Sequence, residues 1–299
     1  MWLFFTIATT LLWSFAELFY KRGAKPDEDY AQLKTCICVG AVMGVHAFIT
    51  IFTADFRYDP VNLLRYLPVS FLYILSMALS FFGMRFVEES ISDPIENTSG
   101  ALCTLLCVLF LGETLEPFNI AAVIIILAGI LGIGFLESGK RRLTGGKAAL
   151  IAFSMPFLYA ILDALGSFLD IFYLDDPALS PLVNVDAGNI ELMANISYEL
   201  TFFICAVIFS VFLAVKKEKF GFRNQGDKIL AAFCETGGQL TYVYAMSGNG
   251  ALAAPVISGV CVFSLLLSRI FLREKLTKKQ YLFIFIVLAG IMMLAVSEG

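Results

Sequence analysis

Residues 94–137, PIENTSGALCTLLCVLFLGETLEPFNIAAVIIILAGILGIGFLE, decide the fold because they occur twice in the chain. A shift of 161 residues without a gap places residues 94–137 over residues 255–298, and 13 of the 44 pairs are identical. Each copy holds an apolar run that starts with proline, a short polar turn with Glu and Leu, and a second apolar run with Ala-Gly at its middle. The pattern predicts two membrane helices joined by a tight turn, duplicated within one chain.

The composition is that of a membrane protein. With 59% apolar and 15% charged residues and a mean hydropathy of +0.82, the chain has too few polar side chains to cover a water-facing surface. Roughly 20 apolar residues are needed to span the hydrocarbon core. Ten such runs occur, at about residues 2–20, 34–53, 64–83, 93–111, 118–136, 147–170, 191–214, 228–246, 251–271 and 280–296. The first run lacks a basic leader and a cleavage site, so we expect a retained helix.

The basic residues predict how these helices are oriented. When the loops are numbered along the chain, 19 of the 21 Lys and Arg residues fall in or beside the odd-numbered loops, and the other side holds only Arg57 and Arg65. By the positive-inside rule, the odd-numbered loops are cytoplasmic and both termini lie outside. We expect a multi-pass protein of the plasma (inner) membrane, since the short chain carries no targeting extension.

The two copies must lie in opposite orientations. Each half contains five predicted helices, an odd number, so the second copy enters the membrane from the other side. The turn of the first copy (residues 112–116) has no basic residue, whereas its counterpart (residues 273–279) has four. The predicted fold is therefore an all-α membrane protein with ten transmembrane helices in two inverted five-helix repeats, residues 1–140 and 141–299. Such repeats are typical of secondary transporters, with the ligand site near the midplane between the halves.

Candidate ligand-binding residues lie at related positions of the first and sixth predicted helices. Trp13 is followed four residues later by Glu17. Tyr159 is followed in the same way by Asp163, so in each helix a ring and a carboxyl group share one face. The offset between these pairs is 146 rather than 161 residues. The difference is expected in the external loop 175–189, which is either a lid over an external opening or a tolerated insertion.

Three further acids occur within predicted helices. Glu96 lies near the start of the fourth helix, Glu199 about two turns inside the seventh, and Glu235 in the eighth. A charge at the bilayer centre costs about 2.5 kcal/mol or more, so acids within membrane helices usually face a cavity and mark a pathway. Gln239 and Tyr242 follow Glu235 and extend the candidate site along the eighth helix.

Other polar residues are interpreted as packing residues. The single histidine, His46, is expected to form an interhelical hydrogen bond rather than a proton relay. The seven cysteines all fall within predicted helices, without metal-ligand spacing, and are interpreted as small buried residues. No nucleophile, base and orienting residue come together, so the sequence predicts no enzyme, no cofactor and no metal. The basic clusters are interpreted as topology determinants and not as a nucleic-acid site.

The duplicated turn resembles that of a known family. Its motif is LGETL at residues 111–115 and LREKL at residues 272–276, where Arg273 stands in place of the usual Gly. With ten helices in two inverted halves and a proline at the start of the fourth helix of each half, the whole chain resembles the drug/metabolite transporter superfamily, and within it the EamA-type ten-helix transporters. The resemblance implies alternating access through a central cavity lined by helices from both halves. It also implies a role in the fold, and not in substrate binding, for Glu113 and Glu274.

These residues predict a secondary transporter that moves a small cationic or zwitterionic metabolite, of the amine or amino acid class, by alternating access. The acids bind the substrate, with Trp13, Tyr159 and Tyr242 as cation–π faces, or they carry a coupling proton, and the two roles are compatible. A phosphorylated substrate is disfavoured because no Lys or Arg cluster lies within the predicted spans. The predicted substrate-binding residues are Trp13, Glu17, Glu96, Tyr159, Asp163, Glu199, Glu235, Gln239 and Tyr242.

Two alternatives remain open. One is an exporter of neutral metabolites such as nucleosides or hydrophobic amino acids, against which the acids are the only sequence argument. The other is a non-transporting accessory protein or receptor on the same fold. The predicted partners are a small-molecule substrate, protons in the coupled case, and the lipid bilayer.

Overall fold

The structure, a computed structural model, describes residues 1–23, 28–83, 95–138, 147–273 and 275–297. These residues form helices and turns, without a β-strand among them. A short helix, Val61–Arg65, precedes the helix that begins at Leu67, and a π-helical turn, Cys107–Leu111, extends the helix that ends at Leu106. The main helices are α1 (Trp2–Gly23), α2 (Ala31–Thr53), α3 (Leu67–Gly83), α4 (Ser99–Leu106), α5 (Pro117–Ser138), α6 (Lys147–Asp175), α7 (Ile190–Val215), α8 (Gly226–Ile257), α9 (Val260–Phe271) and α10 (Lys278–Ser297).

Within the described ranges, six helices are each long and apolar enough to cross a membrane, namely α1, α2, α5, α6, α7 and α10. The bent pair of α8 and α9 adds a seventh span when it is taken as one, while α3 and α4 are shorter apolar helices. The prediction of an all-helical membrane fold is confirmed. The count of ten spans stays a prediction.

Two differences from the predicted helix boundaries affect the candidate site. Helix α6 continues to Asp175 instead of ending at residue 170, so that Asp170 lies inside the helix. Helix α8 runs without a gap through residues 247–250 and is kinked at Asn249, whose φ of −165° and ψ of 72° are not helical. The Asn249 side chain accepts a hydrogen bond from the N–H of Leu252 at 3.3 Å, so it caps the second part of the helix.

The helices pack in pairs. Helix α1 packs along α8, α2 along α7, α3 along α6, and α5 along α10. When each helix is exchanged for its equivalent in the other half, α1 for α6 and so on, this set of pairs is reproduced. That is the arrangement which two inverted repeats require.

The α5–α10 pair shows the same reciprocity in atomic detail. A Cβ atom on Gly129 would lie 2.5 Å from Val287, and a Cβ atom on Gly290 would lie 2.7 Å from Ile126. The shift of 161 residues that relates Gly129 to Gly290 also relates Ile126 to Val287. The Ala-Gly motif of each copy therefore provides the close approach to the other copy, as small residues do in membrane helix pairs.

Both copies of the duplicated stretch are broken at the same place. A turn at residues 97–98 precedes α4, and a turn at the equivalent residues 258–259 precedes α9. Helix α9 is inclined at 53° to α8 across this break. The two helix breaks lie close together in the structure: the N–H of Gly100, just after the first break, donates a hydrogen bond to Ser258 Oγ at 3.2 Å.

The turn after each first apolar run also has one conformation in both copies. Gly112 has a φ of 73° and its equivalent Arg273 has a φ of 58°, so both residues adopt the left-handed backbone conformation. The left-handed conformation costs an L-residue about 1 kcal/mol or more, and Arg273 adopts it all the same. Glu274 of the second motif and Pro94 of the first copy lie outside the described residues.

We call the end of the bundle where α1 ends and α2 and α8 begin the basic end. Here Glu28 receives hydrogen bonds from Gln225 at 3.1 Å and from Lys228, and forms an ion pair with Lys34 at 3.4 Å. Lys34 also pairs with Glu218 at 2.8 Å. Both lysines are almost fully buried. We call these five residues the basic-end ion cluster; it joins connectors that belong to different predicted halves.

The opposite end, which we call the loop end, holds residues 54–66 and the loop 176–189. Asn62, which is fully buried, donates to the carbonyl of Val183 at 2.9 Å and accepts from the N–H of Val183 at 2.8 Å. Arg65 donates to the carbonyl of Pro181 at 2.6 Å. The loop is therefore bonded to the connector that precedes α3.

Candidate functional site

A cavity of about 550 Å³ lies inside the helix bundle. It extends towards the basic end, where Lys21, Ala31 and Gln32 line it. Eight of the nine sequence-predicted residues line this cavity, namely Trp13, Glu17, Glu96, Tyr159, Asp163, Glu235, Gln239 and Tyr242. We call it the acidic cavity because four carboxyl groups and one Lys line it.

One wall of the acidic cavity is formed by the antiparallel pair α1 and α8. Glu17 of α1 lies close enough to Glu235 of α8 for their charges to interact. The Tyr20 hydroxyl donates to Glu235 Oε2 at 3.3 Å. Two facing carboxyl groups repel each other when both are ionised, so a cation or a proton between them is stabilised.

A second pair of acids lines the cavity from α6 and from the segment before α4. Tyr159 lies within electrostatic range of both Asp163 and Glu96, as well as of Glu235. Glu96 accepts a hydrogen bond from Ser80 at 2.9 Å, and Asp163 accepts one from Ser99. The acids predicted from separate helices are thus brought together around one space.

Aromatic rings line the deeper part of the cavity. The Trp13 and Tyr242 ring centroids are 5.1 Å apart, and Tyr73 lies edge-on to Tyr198 at 5.8 Å and to Tyr242 at 6.3 Å. Trp13 packs directly on the backbone of Gly238, where a Cβ atom would lie 2.3 Å from Trp13 Cδ1. Aromatic faces beside carboxyl groups are suited to bind an organic cation.

Glu199 is not among the residues that line the cavity. It is fully buried between α7 and α2, where its carboxylate is 2.8 Å from Nδ1 of His46. The histidine thus makes the interhelical contact expected of it, and its partner is one of the acids assigned to the substrate site. No sequence pattern relates residues 46 and 199, so this pairing could not be predicted.

The cavity also contains residues that sequence reasoning missed. The hydroxyls of Tyr73 and Tyr242 are 2.6 Å apart, and each donates to Ser167 Oγ, at 3.1 and 3.0 Å. We call these three residues the hydroxyl cluster. Ser167 follows Asp163 by four residues on α6, so the helical spacing of polar residues could have revealed it. Tyr73 belongs to an apolar stretch without such a pattern.

Acidic side chains outnumber basic ones among the described residues that line the cavity. Among the residues that the structure describes, four carboxyl groups and several rings line the space, and Lys21 at the basic end is the one basic side chain. Phosphate sites need clustered Arg or Lys donors. Within the described part of the chain, no group of three or more His, Cys, Asp or Glu residues is suited to hold a metal ion.

A bundle of apolar helices around an internal polar cavity is typical of a multi-pass membrane protein. One solved structure superposes on 99% of this chain and 96% of its own, with a TM-score of 0.74 and 12% sequence identity, and its title gives only "Crystal structure of protein". This likeness concerns the fold alone. None of the curated proteins compared with the chain matches it significantly.

Residues 1–135 and 199–296 match the EamA-like transporter family. These segments make up more than half of the chain, which belongs to this family and hence to the drug/metabolite transporter superfamily. Its members are membrane transporters of small solutes and not enzymes. The family assignment confirms the resemblance carried by the duplicated turn.

Proposed function

We propose that this protein is a secondary transporter of a small cationic or zwitterionic metabolite of the amine or amino acid class. The observation that carries the proposal is the acidic cavity, where Glu17, Glu96, Asp163 and Glu235 surround one space beside aromatic rings. A cavity of about 550 Å³ has the size of a small-molecule site. An amino group would neutralise part of the repulsion among the acids and contact the ring faces.

Transport would follow alternating access between two inverted repeats, residues 1–140 and 141–299. The reciprocal α5–α10 contact and the matched helix breaks support this division. The cavity extends towards the basic end, and the hydroxyl cluster lies at its deep end. We place the protein in the plasma (inner) membrane, with the basic end in the cytoplasm and both termini outside. In that orientation the cavity of this structure extends towards the cytoplasm.

Ligand binding to the acidic cavity is tested by thermal stabilisation of the purified protein. Amines, amino acids, nucleosides and sugars are compared on wild type, Glu17→Gln and Asp163→Asn, with the exposed Glu116→Gln as control. We expect an amine or amino acid to raise the Tm of wild type and of the control by mass action, and to leave the two cavity variants unchanged. Stabilisation by neutral compounds alone, equal in all four proteins, would instead favour the neutral-metabolite exporter and contradict our substrate class.

Transport itself is tested by flux into proteoliposomes. Wild type should take up the stabilising ligand saturably, and Glu17→Gln should abolish uptake while the protein stays folded, since the variant removes a charge that faces the substrate. An active Glu17→Gln protein would exclude this role for Glu17. Binding without flux in wild type would indicate an accessory protein or receptor on the same fold.

A further inference from the structure

A fully buried acid lies outside the acidic cavity. Asp170 belongs to α6, seven residues after Asp163 and three after Ser167, so the three residues share one helix face. Its Oδ1 atom accepts a hydrogen bond from the Tyr66 hydroxyl at the start of α3. Its Oδ2 atom is buried and has no hydrogen-bond partner among the residues that the structure describes.

The surroundings of Asp170 contain no compensating charge in the described part of the chain. The titratable groups that interact with it from the packed helices are Tyr66, Tyr73, Cys103, Tyr198 and Tyr242. Tyr and Cys side chains are neutral near pH 7. Arg65 is adjacent to Tyr66 in sequence, but its guanidinium donates to the loop carbonyl of Pro181.

A carboxylate buried with one hydrogen bond and no cation is far costlier than a neutral carboxylic acid in the same place. The packing around Asp170 therefore favours the neutral form of the acid. Removal of its proton requires water or a cation at Oδ2, and the packing around Tyr66 and Asp170 admits neither, since both residues are fully buried.

Three layers of contacts close the protein between the acidic cavity and the loop end, and Asp170 forms the middle one. The hydroxyl cluster is the layer nearest the cavity. Tyr66 and Asp170 form the next layer, and the bonds of Asn62 with Val183 form the outermost. Each layer joins α3, or the connector before it, to elements of the second half.

We propose that Asp170 is a proton-binding site whose protonation holds the loop end closed. Separation of α3 from α6 would admit water to Oδ2, and the proton would pass to that water as the carboxylate becomes hydrated. Closure would require the return of one proton from the same side. The inference rests on the proposed transport function in one respect, since the closed loop end is one of the two access states of the transport cycle.

The test measures closure directly and needs no substrate. Backbone hydrogen exchange is followed by mass spectrometry over residues 61–70 and 176–189 of the full-length protein across a range of pH, after correction for the chemical exchange rate. In wild type we expect protection to fall as the pH rises, because deprotonation of Asp170 opens the loop end. Asp170→Asn, which is permanently neutral, should remain protected at every pH.

The matched control is Asp175→Asn, an exposed acid near the end of the same helix, which should behave as wild type. Wild type alone can overturn the proposal: protection that does not change with pH at these segments excludes a protonation-dependent closure. Equal pH dependence in wild type and Asp170→Asn would show that another group controls closure. The hydrogen-exchange results for wild type and for Asp170→Asn remain valid if no substrate is ever transported.

A second measurement separates this inference from the proposed function. In proteoliposomes, Asp170→Asn should still bind the stabilising ligand but lose most of its flux, because the loop end stays closed, whereas the flux of wild type should rise with the pH on the loop-end side. Flux in Asp170→Asn that equals the flux of wild type at every pH would exclude control of closure by Asp170. Absence of all flux in wild type would count against the transport function instead. The hydrogen-exchange experiment would still decide the role of Asp170.

Discussion

At the scale of single residues, Gly238 determines the shape of the acidic cavity, because only a glycine lets Trp13 approach the backbone of α8. A Cβ atom at position 238 would lie 2.3 Å from Trp13 Cδ1, whereas one at Gly237 would lie 3.5 Å from Leu12, an ordinary contact. We expect Gly238→Ala to destabilise the protein by about 1–3 kcal/mol through overpacking and to weaken ligand binding. Gly237→Ala should leave both nearly unchanged. Thermal unfolding with and without ligand compares the two variants, and equal effects would contradict a steric role for Gly238.

Some residues in and around the acidic cavity could be predicted from the sequence, and others could not. Acids in apolar helices are costly, and this one principle identified the four acids that line the cavity. Asp170 was missed because the predicted end of its helix at residue 170 placed it at the surface, whereas α6 continues to Asp175. Glu199 was assigned to the cavity because its partner His46 lies 153 residues away in sequence, and helical spacing carries no information about such a contact.

At the scale of helices, the reciprocal glycines of α5 and α10 hold the two halves together. Gly129 and Gly290 each admit a side chain from the other helix at a distance that a Cβ atom would block. We expect Gly129→Ala and Gly290→Ala each to lower stability by about 1–3 kcal/mol, and by similar amounts because their contacts are equivalent. Gly226→Ala, where a Cβ atom meets nothing within 4 Å, is the control. Thermal unfolding in detergent measures all three, and a large effect at only one of the two interface glycines would argue against an equivalent contact.

The loop between α6 and α7 is fixed by one side chain of the opposite half. Asn62 exchanges two hydrogen bonds with the backbone of Val183 in the protein interior, whereas Asn184 bonds Asp59 at an exposed position. Asn62→Ala should cost about 1–3 kcal/mol because it removes both hydrogen bonds and leaves the partly buried N–H and C=O of Val183 without these partners. It should also make residues 176–189 sensitive to proteolysis, while Asn184→Ala should not. Equal cleavage of both variants would show that other contacts hold the loop.

At the scale of the whole molecule, the duplicated stretch allowed the fold to be predicted because identity at a fixed offset of 161 residues requires two copies of one unit. The structure repeats even features that carry no sequence identity, such as the break at residues 97–98 and 258–259. These breaks could not be predicted, since Asn97-Thr98 and Ser258-Gly259 share no residue type and neither pair excludes a helix. Their position follows from the tight crossing of the two copies, where Gly100 meets Ser258.

The two halves are also joined electrostatically at the basic end, which gives stability a defined pH dependence. Burial raises the pKa of Glu28, but the hydrogen bonds from Lys228, Gln225 and Lys34 and the charge of Lys228 outweigh it, so the pKa is lowered overall. A lowered folded-state pKa stabilises the protein fully above the unfolded value of about 4.3, and this stabilisation is lost as the pH falls through the folded value. Acidification below about pH 4 should therefore weaken the basic-end ion cluster.

We expect Glu28→Gln to lower stability near neutral pH by about 1.5–3 kcal/mol, because two buried lysines lose a charged partner. On acidification, the stability of the variant should fall less than that of wild type, because the variant has no carboxylate to protonate at this position. Asp29→Asn, at the exposed neighbouring position, is the control and should follow wild type. Thermal unfolding between about pH 7 and pH 3 measures both effects. Identical slopes in wild type and Glu28→Gln would mean that Glu28 does not link the two halves, and that the cohesion of the basic end comes from helix packing alone.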